Sequence, residues 1–416
     1  MNNKESHIIS VFEHESLYVH KGEKIRLTDD QLKSLQTFYK EKDFPYYTLV
    51  HKGIRFCEYV GVLQVGNLTI EILPKADNNG LDHWRKMLIG MLRSVNSFNI
   101  HSPTNSDVLL KANSILDLYF ELFINETESI LHKGLIKKYR KIEGNQNSLK
   151  GKIVFTKQIL SNISHQERFF VSYSIYDKEH PLNKVLYKVL KLLKLINRNQ
   201  NLKSRINALL LNFPELPNIV TDESFFNRIS YSRKTEPYKK AIEISRLLLI
   251  NYHPDISKGN NNVLALMFDM NSLWEGFVLA SIKRFNTQNI VIHSQKHKLF
   301  WQKSGGYAKR MIPDIVLTNV SGKTVVVDTK WKNIGEYNPS DADLRQMYTY
   351  SKFHDNANTI LLYPGNETKY FSGSFYDENL NNVISNTECG ILKIAVSKNI
   401  KEWQKLIFET LSSNIL

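Results

Sequence analysis

The sequence predicts an α+β multidomain chain with a β-rich N-terminal domain, a helical middle region and a C-terminal α/β domain on a mixed central sheet. Three observations predict it. Short β-like runs separated by turns fill residues 1–78, and apolar residues at three- and four-residue spacing dominate 79–255. Helix and strand patterns then alternate through 256–416. At 416 residues the chain can hold two or three domains, each with its own core.

The N-terminal runs are His7–Phe12, Tyr47–Val50, Phe56–Leu63 and Leu68–Leu73, with a short helix over Asp29–Tyr39. Gly66-Asn67 between two apolar runs is a two-residue hairpin signal. Pro74-Lys75-Ala76 and the polar 77–80 end this domain. Helices are expected over Leu81–Val95, Asp107–Lys133, Leu182–Arg198 and Pro237–Tyr252. Two stretches here are basic. Residues 131–160 carry eight Lys or Arg against one acid, and Lys184, Lys188, Lys191, Lys194 and Arg198 lie opposite an apolar stripe. Such a face is either simply solvated or a track for a DNA backbone. Asn251–Asn262, rich in Pro, Gly, Ser and Asn, reads as a linker. Beyond it the pattern gives a helix containing Asn271–Phe285, strands near Ile290–His293 and Lys298–Trp301, and a hairpin over 310–332. A helix Pro339–His354, strands Thr359–Tyr363 and Ile391–Val396, and a terminal helix Ile400–Leu411 follow.

The net charge of +14 and a pI near 9.4 point to a polyanionic partner, nucleic acid first. Cys57 and Cys389 are too far apart to suggest a disulfide framework or a metal knuckle, which fits a reducing compartment. No apolar signal core opens the chain, and no run approaches the ~18 apolar residues of a membrane span. A cytoplasmic protein with no membrane segment is therefore expected. The phosphate-cradling pattern Gly-x-x-x-x-Gly-Lys-Ser/Thr is missing from the sequence, so no nucleotide is expected on this chain.

The chemistry concentrates in RMIPDIVLTNVSGKTVVVDTKWK, Arg310 to Lys332. Ile315–Leu317 and Thr324–Val327 are short β-branched runs flanking a turn at Asn319-Val320-Ser321-Gly322. Folding there brings Asp314 beside Asp328, and alternation places Lys330 on the face of Asp328. Two carboxylates can bind Mg²⁺, with Mn²⁺ as the alternative, because Mg²⁺ keeps several waters and needs few protein ligands. Such an ion activates water and polarises a phosphoryl oxygen, and a nearby lysine orients or neutralises. Two adjacent acids also repel, so their pKa values should separate unless a cation intervenes.

Pro-Asp followed fourteen residues later by Asp-x-Lys resembles the PD-(D/E)xK nuclease superfamily, as does the α-β-β-β-α-β order around it. That resemblance implies a restriction-endonuclease-like domain over 256–416. It also makes Glu275, on the preceding helix, an additional metal ligand. Gln346 and Tyr350 share a helix face, a spacing similar to that of RecB-type nucleases, which places Gln346 close to the active site. Lys309, Arg310 and Lys332 bracket the acids as solvated charge or as contacts to the scissile strand. His293 and His297 do not align on a strand and are not assigned to zinc.

GVLQVGNLTIEILPKA, LKGKI at Leu149–Ile153, PDIVL and VVVDTKWK together resemble the McrC family, in the family's order and over most of the chain. The resemblance implies the nuclease subunit of a modification-dependent restriction system. Its partners would be double-stranded DNA carrying modified bases and a McrB-like AAA+ GTPase hexamer, docked through the N-terminal domain, whose GTP hydrolysis it stimulates. Metal and catalytic roles pass to Asp314, Asp328, Lys330 and Glu275. Two other functions fit the residues: a non-catalytic DNA-binding adaptor that activates the GTPase, and a stand-alone repair nuclease.

Overall fold

The structure is a computed structural model that describes residues 7–19, 27–41, 46–65, 68–76, 80–95, 115–253, 263–332, 334, 338–376, 384–397 and 399–415. The Gly66-Asn67 turn, residues 77–79, the helix start at 107–114 and the linker at 254–262 lie outside them. Compactness divides the chain into one unit of Met1–Val108 with Lys258–Leu416 and a second of Leu109–Ser257. The sequence boundaries at 78 and 255 follow composition. By compactness, the first and last of the three sequence blocks fall in a single unit. The reason is VLALMFD. This apolar run forms a strand, Val263–Asp269, that pairs antiparallel with Tyr59–Val65 in the N-terminal sheet.

In that sheet Leu68–Leu73 lies antiparallel to Tyr59–Val65 and parallel to His7–Phe12. A smaller sheet orders Ser16–Tyr18, Gly53–Phe56 and Tyr47–Val50. With the helix Asp29–Glu41 it encloses Leu35, Phe38, Tyr47, Ile54, Phe56, Leu63 and Ile70.

The C-terminal sheet has six strands in the order Val291–Ser294, Ile315–Thr318, Thr324–Thr329, Asn358–Gly365, Ile384–Ala395, Lys369–Tyr376. Antiparallel pairs at its edges flank two parallel pairs, so the sheet is mixed, as the sequence predicts. Helix Asp341–Phe353 covers one face, where Met347 and Tyr350 pack with Val316, Val326, Leu361 and Tyr363. The alternate residues Ile315, Leu317, Val325 and Val327 are equally buried and face the layer of helix Met270–Phe285. That helix meets Leu81–Val95 at Gly276, where a Cβ would stand 2.7 Å from Val95 Cγ1. Ile400–Ile415 packs beside both. Trp84, Trp274, Trp331 and Trp403 form one cluster there, with adjacent ring centroids 5.2–5.9 Å apart.

The second unit contains the helices Ile115–Lys133, Pro181–Ile196, Gln200–Asn212 and Lys239–Ile250, and also a three-stranded sheet. The sequence reading of a helical middle region omitted that sheet. Its main strands, Lys138–Gln146 and Phe169–Asp177, pair antiparallel over nine residues, and Lys152–Ile153 joins the second. The basic stripe of Pro181–Ile196 is partly committed within its own unit. Lys184 pairs with Glu179, and the Lys188 ammonium donates to Ile219 O and Thr221 Oγ1. Among the described residues no helix is long and apolar enough to cross a membrane.

Candidate active site

The hairpin turn is built by one asparagine. Asn319 Oδ1 accepts from Lys323 N–H at 2.9 Å and from Ser321 Oγ at 2.7 Å, while Asn319 N–H donates to Lys323 O. Gly322 takes φ +83°, which a residue without Cβ adopts freely. The turn sets Ile315 opposite Val327 and Thr318 opposite Thr324. Asp314 precedes that register by one residue and Asp328 follows Val327 by one, so the two acids come near each other at the sheet edge.

Each acid is held differently. Asp314 Oδ2 accepts from Thr329 N–H at 2.8 Å and Thr329 Oγ1 at 2.9 Å, so both bonds fix one oxygen. Asp328 is 1% exposed, with Lys330 Nζ 2.9 Å from its Oδ2 as an ion pair. Burial first, and the Asp314 charge second, push the Asp328 carboxyl up to about 6 against the opposing pull of Lys330. Lys330 loses from burial but is held above its ordinary range by Asp328, Asp314 and Asp343, so it remains an ammonium at neutral pH.

Helix Asp341–Phe353 brings the amide. Ser340 caps it by accepting from Asp343 N–H at 3.2 Å. Gln346 Nε2 then donates to Asp328 Oδ1 at 3.2 Å and to the Tyr350 hydroxyl at 2.8 Å, while Gln346 Oε1 accepts from Lys330 Nζ at 3.2 Å. The shared helix face of Gln346 and Tyr350 is thus real, and it closes over the acids. The Tyr350 hydroxyl in turn donates a hydrogen bond to Ile312 O at 3.0 Å.

Of the residues expected from the sequence, the structure brings Asp314, Asp328, Lys330 and Gln346 together. Glu275 stands at the margin, half-buried, accepting from Gln295 Nε2 at 3.2 Å. Burial and then the Asp314 charge raise its pKa, so the two acids feel each other. Among the described residues, however, no three of His, Cys, Asp and Glu converge as a ready metal cage. The donors at the sheet edge suit a weakly chelated, water-rich ion: two hard carboxylates, one of them buried with an ammonium beside its Oδ2. Lys332 pairs with Asp343 at 2.6 Å, and Lys309 and Arg310 lie exposed on the strand Ala308–Met311.

Two residues that hold the motif strand have no sequence signal. Trp331 N–H donates to Asn271 Oδ1 at 3.1 Å, and its indole Nε1–H donates to Glu13 Oε1 at 2.8 Å. Glu13 is 6% exposed, and burial raises its pKa despite the bonds from Trp331 and Lys75 N–H. An acid at a strand end, 318 residues from its partner, looks in sequence like a solvated turn.

The family described as McrBC 5-methylcytosine restriction system component matches residues 54–364, well over half of the chain. No curated protein matches the sequence. Among solved structures, one match is the half-complex from the tetradecameric assembly of Thermococcus gammatolerans McrB AAA+ hexamers with bound McrC. It aligns at TM-score 0.72 and 19% identity, over 98% of this chain and 100% of that one. The Thermococcus gammatolerans McrBC complex gives 0.51 at 19% identity, over 67% and 88% of the two chains. At such identity the structural likeness shows a shared fold. The family match bears out the McrC resemblance read from LTIEILPKA and DTKWK: this chain belongs to the McrBC 5-methylcytosine restriction system components.

Proposed function

We propose that this chain is the DNA-cutting subunit of a McrBC-type restriction system, a metal-dependent endonuclease that works in the cytoplasm on a McrB-like AAA+ GTPase and stimulates it. One observation carries the reading. Two carboxylates, an ammonium and an amide meet at one sheet edge, the set of groups that the PD-(D/E)xK resemblance leads one to expect. The partner rests on the family match and on the likeness to a chain from McrB hexamers with bound McrC.

Asp314 and Asp328, with Glu275 beside Asp314, would hold Mg²⁺ or Mn²⁺. When bound, such an ion neutralises phosphate charge and lowers the pKa of coordinated water. The residues of the chain do the rest. Thr329 fixes Asp314 through two hydrogen bonds, so its carboxylate is preorganised. Lys330, partly exposed at the edge, offers its ammonium to a phosphate oxygen, where charge develops in the transition state. Gln346 ties Lys330 to Asp328 and keeps both aimed at one place.

The test is cleavage of a methylated duplex by the chain with its GTPase partner in Mg²⁺. Asp314→Ala and Lys330→Ala should each lower cutting by roughly a thousandfold, the scale of a lost oxyanion-type contact or metal ligand. GTPase stimulation should remain. Parental cutting by either variant would overturn the assignment. An adaptor without nuclease activity would show stimulation and no cutting even in the parent.

A further inference from the structure

From residue 276 to residue 313 the chain holds seven Lys or Arg and not one acid. Most of these cations cluster around a two-stranded ribbon, Lys298–Gln302 with Ala308–Met311, which leads directly into the acidic edge. Only Ile312 and Pro313 separate it from Asp314. Its root is anchored. The Lys298 ammonium donates to Phe353 O, the Phe300 and Phe353 rings meet edge-on at 5.6 Å, and Tyr350 donates to Ile312 O.

The body and tip are not covered. Leu299 stands across from Arg310 and Trp301 across from Lys309, so these two exposed apolar side chains each lie beside a cation. Leu299 is 63% exposed and Trp301 56%. At the tip, Gly305 takes φ +68° and Gly306 N–H donates to Lys303 O, a tight turn that presents Tyr307 97% exposed. Aromatic rings held in water on a basic strip with no acids lack any reason in the fold itself.

We propose that this ribbon is an arm that grips duplex DNA beside the scissile phosphate. A two-stranded ribbon is of a size that the major groove admits. Lys303, Lys309 and Arg310 would neutralise phosphates, a contact that releases counterions. Trp301 and Tyr307 would lie against the sugars and bases between them, as interleaved aromatics do on nucleic acid. The fixed root then converts the grip into registration, because a groove-bound ribbon sets which phosphodiester reaches Asp314 and Asp328. The purpose of the arm rests on the nuclease reading, but its binding does not.

Binding is therefore measured apart from cutting, with the full-length chain, a fluorescent 30-base-pair duplex and EDTA in place of metal. Combined Lys309→Ala and Arg310→Ala should weaken binding about tenfold near 100 mM salt and flatten the slope of log K against log salt by about two. Tyr307→Ala should weaken it severalfold with no change of slope, since it removes a ring and no charge. Lys401→Ala, on the terminal helix, serves as a charge control and should move neither. Duplex should quench part of the parental tryptophan emission, and Trp301→Phe should remove that quenching. Variants that bind with parental affinity and slope overturn the arm, as would loss of single-strand binding alone. A parent that binds through the ribbon but never cuts, with metal and partner supplied, would leave the arm standing and end the nuclease reading instead.

Discussion

Two antiparallel pairs in this chain use the same backbone geometry to opposite ends. Ile315–Thr318 with Thr324–Thr329 is short, and its apolar residues are buried on both faces beneath helices. Lys138–Gln146 with Phe169–Asp177 is longer, yet the first strand alternates between half-buried and exposed along all nine residues. Their acids differ accordingly. Asp328 is buried at a strand end, and its pKa is driven up. Asp177 is only half-buried, beside Arg140, and its pKa is driven down, first by that hydrogen bond. The pair that holds its acid in the favourable state is built for stability. The one that holds it in the costly state is built around a site.

The largest effect that can break this comparison is a core truncation. Ile315 is fully buried, so Ile315→Ala should cost roughly 2–5 kcal/mol, since a cavity remains that the two helical layers cannot close. Tyr139 is 77% exposed, and its main contact is the Tyr176 ring at 4.7 Å across the strands. Tyr139→Ala should cost less than about 1 kcal/mol, the scale of one cross-strand pair. Denaturant midpoints of the two variants check this. Equal losses would mean that the longer pair is buried in some state of the protein.

The same contrast explains what the sequence discloses. IVLT and VVVDT are runs of β-branched residues around Asn319–Gly322, so strand, turn and register were all readable, and with them the meeting of Asp314, Asp328 and Lys330. Gln346 and Tyr350 were readable from helical spacing alone. KYRKIEGNQ has no apolar run, because its strand has no buried face, and the sheet in the second unit escaped for that reason. VLALMFD was apolar enough for a strand, but nothing local states that its partner lies two hundred residues earlier in the chain. Glu13 and Asn271 failed on the same ground. Each is an ordinary polar residue whose role exists only through a contact with Trp331 that tertiary packing creates.

A pH titration of stability sharpens the comparison at intermediate size. Well below the unfolded value of 3.8, Asp328 is protonated in the folded and unfolded chain alike and contributes nothing. Between about 4 and 6 the unfolded chain ionises while the folded one keeps its proton, so stability falls as pH rises. Above 6 the full penalty, about 3 kcal/mol, is present. Asp328→Asn removes it, less what Lys330 loses with its anion. The variant should therefore melt higher than the parent at pH 8 and converge with it below pH 4, while losing its cutting activity. Millimolar Mn²⁺ should raise the parental Tm at pH 8 and leave the variant unmoved, since bound ligand stabilises the state that holds it. A Tm difference that does not vary with pH would show that burial does not control this carboxyl.

The smallest effect belongs to the exposed pair, and its sign is reversed. Arg140 bonds Asp177 at 2.8 Å and Glu179 at 2.6 Å, both at the solvent boundary. Because the folded pKa of Asp177 is depressed, the stability it contributes is present above its unfolded value. That contribution is lost as pH falls through the folded one. Arg140→Ala should therefore lower Tm at pH 7 and leave it unchanged near pH 2, the opposite trend to Asp328→Asn. The shift should stay within about 2 °C and shrink further in 0.5 M salt, because solvent and ions reach and screen a half-buried pair at the surface. A loss as large as that of Ile315→Ala would mean that these charges organise the second unit as firmly as burial organises the first.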